Sequence, residues 1–284
     1  MISISRPSFH AAMMVALTLA LPVTGAQAQP VAPVAGDRWS AADVADVFAV
    51  SPIVARARIV EARQVDPVAG VARPTGTQRF YVVADVTTLI RGTGGLAPRV
   101  AWLVDIPLDA RGRAPRLKKR DVLIAASPVA GRSNEVRLIA RDAQLDWSAA
   151  LEARVRMVVA SALAPDAPPA ITGVGQAFHV PGTLPGESET QLFLTTATAQ
   201  PVSLNILRRP GQASRWAVAL GEIVDESAAL PVPGSFGWYR LACFLPAALP
   251  DSATAALSPA EVVAARADYG IVLSGLGACG RTRR

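Results

Sequence analysis

Short stretches in which hydrophobic and polar residues alternate fill much of the chain between residues 53 and 143. In the first of them, Ile53–Val65, apolar Ala57 and Ile59 alternate with arginines, and the alternation changes phase at Val60. A β-bulge produces such a change because it inserts one extra residue into a strand. The pattern therefore predicts five short strands, the first of them bulged. The other four stretches are rich in strand-favouring residues, and they are Phe80–Arg91, Arg99–Pro107, Asp121–Ala126 and Glu135–Ala143.

Two amphipathic segments that flank these strands predict helices. Ser40 and Asp43 form a capping pattern, since a serine at the N-cap accepts a hydrogen bond from the amide three residues later. The second helix, Trp147–Leu163, carries its apolar residues on one stripe, and we expect Asp146 to cap it. A bulged first strand can pair in both halves of a small barrel. Residues 37–163 are therefore predicted to form an OB-like five-stranded barrel with flanking helices.

The second half of the chain is also rich in strand patterns. Residues 164–170 contain the run PDAPP, which predicts a linker after the helix. A cap, a proline and a glutamate at Ser258–Glu261 predict a helix that ends near Asp268. We thus expect a mainly β (α+β) protein with a second antiparallel β-rich domain, 171–284, and one C-terminal helix. The strands of that domain are predicted at Val174–Val180, Thr190–Thr198, Val202–Arg209, Arg215–Val224, Gly237–Leu245 and Tyr269–Gly275.

The N-terminus has the pattern of a cleavable secretory signal. An apolar run, Ala11–Val23, follows Arg6 and precedes the small residues of Ala26-Gln27-Ala28. The run is shorter than the roughly 20 residues that span a bilayer. We expect a signal peptide at 1–28 with cleavage near Ala28 and a flexible leader at 29–36. The mature protein is then periplasmic or secreted, without a transmembrane segment.

The chain has two cysteines, Cys243 and Cys279. An isolated pair in an oxidising compartment usually forms one disulfide, so we predict a Cys243–Cys279 bond that ties the C-terminal tail to the second domain. A redox-active pair is the alternative, but such enzymes favour a C-x-x-C spacing. The sequence therefore favours a structural disulfide.

Few residues are available for covalent catalysis. His179 is the only histidine after the signal peptide, and neither G-x-S-x-G nor S-x-x-K is present. We expect His179 to be a hydrogen-bonded residue at a strand edge, and we expect no metal or other cofactor. Carboxylates offer an alternative, because a glycosidase needs only two of them; the same groups could bind calcium or lie solvated in loops. These acidic groups are Glu187 and Glu189, and Glu222, Asp225 and Glu226.

The densest charge lies between the third and fourth predicted strands. Six cations occupy the ten positions from Arg111 to Arg120, which we call the basic loop. Loops between the strands of OB-like barrels often form a binding rim, so this loop predicts contact with an anionic envelope component or an acidic protein partner. The alternative is a solvated loop that protects a sheet edge. The six cations are Arg111, Arg113, Arg116, Lys118, Lys119 and Arg120.

The overall charge is also basic, with a pI near 10.1. Nucleic-acid binders cluster their charge among stacking aromatic residues, whereas the remaining basic residues here are scattered along the chain. We therefore expect no nucleic-acid partner. The pattern does not define an oligomeric state.

Two resemblances extend this interpretation. Asp46–Val65, Tyr81–Gly92 and Leu117–Ala125 resemble the OB-like barrel of netrin-type domains and metalloproteinase inhibitors, which implies the barrel fold. The N-terminal cysteine of that family is missing, so its inhibitory mechanism is not implied. The segments RWAVALGEIVDE, WYRLACFLP and DYGIVLSGLGACGR together resemble uncharacterised exported proteins of Gram-negative bacteria.

Together these patterns predict an exported binding or interaction protein that performs no covalent chemistry. The alternative is a carboxylate-dependent glycan hydrolase of the cell envelope.

Overall fold

The computed structural model describes residues 39–66, 73–220 and 228–283, all of which belong to one compact unit, Pro33–Arg284. The predicted signal peptide and leader lie outside the described residues. The elements in chain order are α1 (Ala41–Phe48), β1 (Ile53–Gln64), β2 (Thr77–Arg91), β3 (Arg99–Pro107), β4 (Asp121–Val129), β5 (Arg132–Leu138), β6 (Gln144–Asp146), α2 (Ala149–Leu163), β7 (Ile171–Pro181), β8 (Ser188–Thr196), β9 (Val202–Arg208), β10 (Arg215–Ala219), α3 (Phe236–Ala242), a 3-10 helix (Asp251–Thr254) and α4 (Pro259–Leu276).

The first sheet closes into the predicted OB-like barrel. Its strands follow the order β1-β2-β3-β5-β4, and β4 returns to pair with β1 over Ile53–Arg58. The pairing of β3 with β5, at Ala101 and Glu135, is parallel, whereas the other barrel pairings are antiparallel. The short β6 adds a further pairing to β4. The prediction of a mainly β fold with a five-stranded OB-like barrel is therefore confirmed.

The predicted bulge in β1 determines where the β3–β4 connection ends. The register between β1 and β2 shifts between Ile59 and Glu61, which brackets Val60. At the bulge the Ile59 amide donates to the Arg120 carbonyl at 2.9 Å, and the Lys119 amide donates to the Ile59 carbonyl at 2.8 Å. The bulged strand thus holds the last residues of the basic loop against the barrel wall.

The barrel interior is a core of its own. Inward-facing Val100, Trp102 and Val104 of β3 are buried, as their alternation predicts. Trp102 also has a polar edge, and its Nε1 donates to Oε1 of Gln144 at 2.8 Å. A buried indole needs such a partner, so this bond fixes the start of β6 to the end of the barrel.

The second sheet is separate and antiparallel, in the order β10-β9-β8-β7. One face of it carries Leu192, Leu204 and Ile206, which are fully buried with Tyr269 of α4. Helices α1 and α2 contribute Phe48 and other residues to this same core. Residues 164–170 form an irregular connection between α2 and β7. Whether 37–163 and 171–284 are independent domains stays a prediction.

The predicted helix α1 is confirmed, together with its cap. The Ser40 hydroxyl accepts from the Asp43 amide at 3.1 Å, and the Ser40 amide donates to the Asp43 carboxylate at 3.0 Å. Helix α2 is also present, but its N-cap is Ser148, whose hydroxyl accepts from the Leu151 amide. Asp146, the predicted cap, ends β6 instead.

The prediction of a strand at Gly237–Leu245 is wrong, because these residues overlap helix α3. Ser235 caps α3 by accepting from the Trp238 amide at 3.1 Å. The Trp238 indole donates to the Leu276 carbonyl at 2.8 Å, where α4 ends. Aromatic residues favour strands mainly through the packing that a sheet offers them, and here packing against α4 favours the helix.

The prediction of a closing strand at Tyr269–Gly275 is also wrong, since α4 continues to Leu276. Ala265, Tyr269, Val272 and Leu276 are buried, and their spacing of three or four residues places them on one helix face. β-Branched residues lower helix propensity only slightly. This buried stripe therefore outweighs the local preference for a strand.

Among the described residues, no helix is long and apolar enough to cross a membrane.

Candidate functional site

The basic loop lies at one end of the barrel, where it connects β3 to β4. Leu117, near its end, is 5% exposed and packs into the barrel core. Lys119 adopts a left-handed backbone with φ of 72°, and the Arg120 amide donates to the Leu117 carbonyl at 3.1 Å. Together with the bonds to Ile59, these contacts fix the loop at its C-terminal end.

The tip of the loop is also ordered by its own hydrogen bonds. Oδ1 of Asp109 accepts from the amides of Arg111 and Arg113, each at 2.9 Å. The Gly112 amide donates to the Asp109 carbonyl, and φ of 72° at this residue suits glycine. An aspartate that binds amides two and four residues ahead stabilises a tight turn. The loop therefore presents its cations from a defined backbone.

Two of the six predicted cations form ion pairs within the protein. Arg113 lies 3.5 Å from Asp109, and Arg120 lies 3.1 Å from Asp146. All six residues are exposed. Within the described part of the chain no ion pair involves the other four, which are Arg111, Arg116, Lys118 and Lys119. The structure thus brings the predicted residues together and leaves four positive charges available to an anion.

A groove of about 630 Å³ adjoins this loop. Its volume is in the range of small-molecule sites, which is about 300–1,000 Å³. The lining combines apolar and polar side chains from the residue before the α1 cap, the β1–β2 connection, β2, β3, the basic loop, the β5–β6 connection, β6 and α2. Those that matter here are Trp39, Thr77, Asp105, Pro107, Pro115, Leu117, Arg120, Arg141, Asp142, Gln144 and Asp146.

The carboxylates of the groove are all paired with arginines. Asp105 binds Arg79 through two hydrogen bonds of 2.7 and 2.8 Å, and these bonds lower the pKa of Asp105 despite its burial. Asp142 binds Arg283 in the same two-bond manner, at 2.7 Å each, which also lowers its pKa. Asp146 binds Arg120. The paired carboxylates oppose an anionic ligand less than free ones would.

The C-terminal tail reaches the rim of this groove. The guanidinium of Arg283 lies 5.1 Å from the centre of the Trp39 ring, as a cation–π contact, while it binds Asp142. The tail is also held by the predicted disulfide, since Cys243 and Cys279 are bonded. The structure confirms this pair, and both cysteines are used in it.

The acidic groups of the second half are described only in part. Glu187 lies in the β7–β8 turn, where its carbonyl accepts from the Gly182 amide at 2.8 Å, and Glu189 belongs to β8. Glu222, Asp225 and Glu226 lie outside the described residues. Their use as a catalytic pair or a calcium site stays a prediction. In the part of the chain that the structure describes, no three metal-binding side chains form a site.

His179 is a member of a buried polar network. Its Nδ1 lies 2.7 Å from the Thr190 hydroxyl, which donates to Asp268 of α4. Arg208 of β9 binds the other oxygen of Asp268 at 2.5 Å. Asp268 is fully buried and the His179 side chain is 8% exposed. This network joins α4 to the second sheet, and it gives His179 the hydrogen-bonded position that its sequence context predicts, although inside a strand.

Sequence patterns gave no sign of the groove and only an indirect sign of the tail contacts. The groove combines residues from separate connections, so no local spacing marks it. The tail contacts have one indirect signal: Asp43 and Asp46 lie one turn apart on α1, and the C-terminus is rich in arginine. Charge complementarity between these segments could have suggested the pairing of Arg281 with Asp46, at 2.6 Å.

Comparison with known sequences adds no family: no protein-family model matches the chain, and no curated protein is significantly similar to it.

Proposed function

We propose that this chain is an exported, non-enzymatic binding protein whose basic loop binds a phosphate-bearing component of the bacterial envelope. One observation carries the proposal: four exposed cations without ion pairs among the described residues extend from a loop whose backbone is fixed at both ends. Phosphate groups are natural ligands of such arginines and lysines.

Export is supported by the disulfide as well as by the N-terminal pattern. Disulfides persist in oxidising compartments and are rare in the cytosol of most organisms. The Cys243–Cys279 bond therefore agrees with a periplasmic or secreted location.

The order of the loop favours binding over mere solvation. A solvated loop needs no fixed backbone, whereas a loop that is already ordered loses less conformational entropy when it binds. Here Leu117 is buried, Asp109 organises the tip and the β1 bulge holds Lys119 and Arg120. The three anchors act on the segment that carries the unpaired charges.

The test is co-sedimentation of the mature protein with phosphatidylglycerol vesicles, using phosphatidylcholine vesicles as the neutral surface. The triple variant R116Q/K118Q/K119Q should bind anionic vesicles roughly 100-fold more weakly, because each charge near an anionic surface contributes about 1 kcal/mol. Parent binding should also weaken as salt shortens the Debye length from about 10 Å at 0.1 M to about 3 Å at 1 M.

A matched control removes the same charge from other exposed positions. R137Q/R209Q/R215Q changes three arginines that are exposed and form no ion pair within the described residues. This control should retain most of the binding, and both triple variants should keep the parent thermal midpoint, since exposed charges contribute little to stability. Equal loss of binding in the two variants would mean that only net charge matters, and the loop would then have no specific function.

A further inference from the structure

The groove beside the basic loop has the mixed lining that a sugar ring requires. A sugar presents apolar C–H faces and a rim of hydroxyl groups, so it needs apolar and hydrogen-bonding side chains together. Trp39, Pro107 and Pro115 supply apolar surface, while Thr77 and Gln144 supply polar atoms. An acyl chain would instead need an enclosed apolar lining.

Two hydrogen-bond donors in the groove have no acceptor among the described residues. The oxygen of the Gln144 amide accepts from Trp102, which orients the side chain and leaves its NH₂ group without a partner in the described part of the chain. Arg141, from the connection that precedes β6, is exposed and forms no ion pair within the described residues. These donors suit a ligand rich in oxygen acceptors.

The groove and the basic loop share residues, so one ligand can contact both. Pro115, Leu117 and Arg120 belong to the loop and also line the groove. The groove carboxylates are paired with Arg79, Arg283 and Arg120. Arg141 and the unpaired loop cations therefore set the charge that a ligand meets, and this charge is positive.

We infer that the groove binds a sugar unit of a phosphorylated glycan whose phosphate is held by the basic loop. The inference rests on the proposed function, and it narrows the phosphate-bearing component to a glycan rather than a plain phospholipid surface. Arg141 and Gln144 donate to the sugar or its substituents, and the loop cations neutralise the phosphate.

The test uses three probes: a deacylated, phosphorylated lipopolysaccharide oligosaccharide, the same oligosaccharide after enzymatic dephosphorylation, and phosphatidylglycerol vesicles. By calorimetric titration, the parent protein should bind the phosphorylated oligosaccharide at least about tenfold more tightly than the dephosphorylated one, since hydrogen bonds to charged groups are the stronger kind. If the two oligosaccharides bind equally, or neither binds, the inference is wrong.

Two groove variants separate the groove from the loop. R141Q should weaken oligosaccharide binding by about tenfold and leave vesicle binding unchanged. P107W should obstruct the groove, so it should also weaken oligosaccharide binding and leave vesicle binding unchanged. R137Q is the matched control for R141Q and should bind both probes like the parent. Thermal midpoints check that each variant is folded. If P107W does not fold, R141Q alone tests the role of the groove.

Failure of this inference is distinguishable from failure of the proposed function. If R141Q and a folded P107W bind the oligosaccharide like the parent, the groove has no role, while the vesicle result for the loop variant still stands. If the loop variant binds vesicles like the parent, the proposed function fails, and the groove inference fails with it.

Discussion

Asp43 is a buried carboxylate that two distant parts of the chain satisfy together. It accepts from the Ser40 amide at 3.0 Å in its own helix cap, and from the amides of Thr282 and Arg283 at 2.9 and 3.0 Å. The Thr282 hydroxyl adds a fourth bond at 2.6 Å. Burial opposes ionisation, but these hydrogen bonds outweigh it and lower the pKa of Asp43 to about 2.

The depressed pKa of Asp43 predicts a specific acid sensitivity. The folded pKa of about 2 lies below the unstructured value of 3.8, so the ionised carboxylate stabilises the fold above pH 3.8. This contribution, about 2 kcal/mol, is lost as the pH falls from 3.8 through 2. Asp43→Asn should therefore lower the free energy of unfolding in urea at pH 7, and the difference from the parent should shrink toward pH 2.

Asp166→Asn is the control for this measurement. Asp166 is exposed and makes no hydrogen bond within the described residues, so its replacement should leave the free energy of unfolding at pH 7 unchanged. A parent protein whose stability is flat between pH 4 and 2 would contradict the assignment.

At the scale of elements, α4 approaches the second sheet closely at one glycine. A Cβ atom at Gly275 would lie 2.6 Å from the Trp216 indole nitrogen and 3.0 Å from two of its ring carbons. Real Cβ atoms do not come that near. Gly275 thus lets Trp216 of β10 pack closely against the helix, at the expense of helix propensity.

Two glycine-to-alanine variants in α4 should change stability in opposite directions. Gly275→Ala should destabilise by about 1–3 kcal/mol, because the added methyl group overpacks against Trp216. Gly270→Ala adds a methyl group that meets nothing within 4 Å. It should stabilise by about 0.5–1 kcal/mol through helix propensity. Thermal denaturation of the two variants measures both changes in stability. A Gly275→Ala variant that is more stable than the parent would contradict the close packing of Gly275 against Trp216.

The sequence predicted some elements correctly and others wrongly, and the difference lies in what each element packs against. Barrel strands bury one face, so alternation at Val100, Trp102 and Val104 predicted β3 correctly. Segments 236–242 and 269–276 are apolar and aromatic on short scales, and contacts between distant parts of the chain, such as Trp238 with Leu276, favour their helical form. Such long-range contacts have no local signature.

The candidate site was predictable to a similar extent. The density of charge marked the loop, but the pairing of Arg120 with Asp146 and the apolar anchor at Leu117 depend on the closed barrel. Trp39, Arg141 and Gln144 belong to two segments about 100 residues apart in sequence, and they come together only when the end of the barrel is formed. No spacing rule could relate them.

At the scale of the whole molecule, the described residues form two cores. The barrel interior is one core, whereas α1 and α2 share the other with the second sheet, α3 and α4. The tail reinforces this arrangement, since Arg281 binds Asp46 of α1 and Arg283 binds Asp142 beyond β5. The second half therefore stabilises helices that the first half encodes.

The Cys243–Cys279 disulfide keeps the tail close to α3, and its removal should have a measurable effect. Closing a loop over a separation of 36 residues contributes about 3–4 kcal/mol in the chain-entropy model. Cys243→Ser/Cys279→Ser should lose that much in urea unfolding. Iodoacetamide without reductant should label neither cysteine of the native parent protein, and complete labelling of both would show that the bond is absent.

The bonds between Asp43 and Thr282 also have a consequence for the order of events in synthesis. They join residues 239 positions apart, and a chain is made from its N-terminus, so α1 exists long before its partners do. Until Thr282 and Arg283 are synthesised, the Asp43 carboxylate lacks three of its four hydrogen-bond donors, and its burial is energetically unfavourable. A chain truncated before Thr282 should therefore hold its first helix more loosely, and limited proteolysis would detect this as faster cleavage within α1.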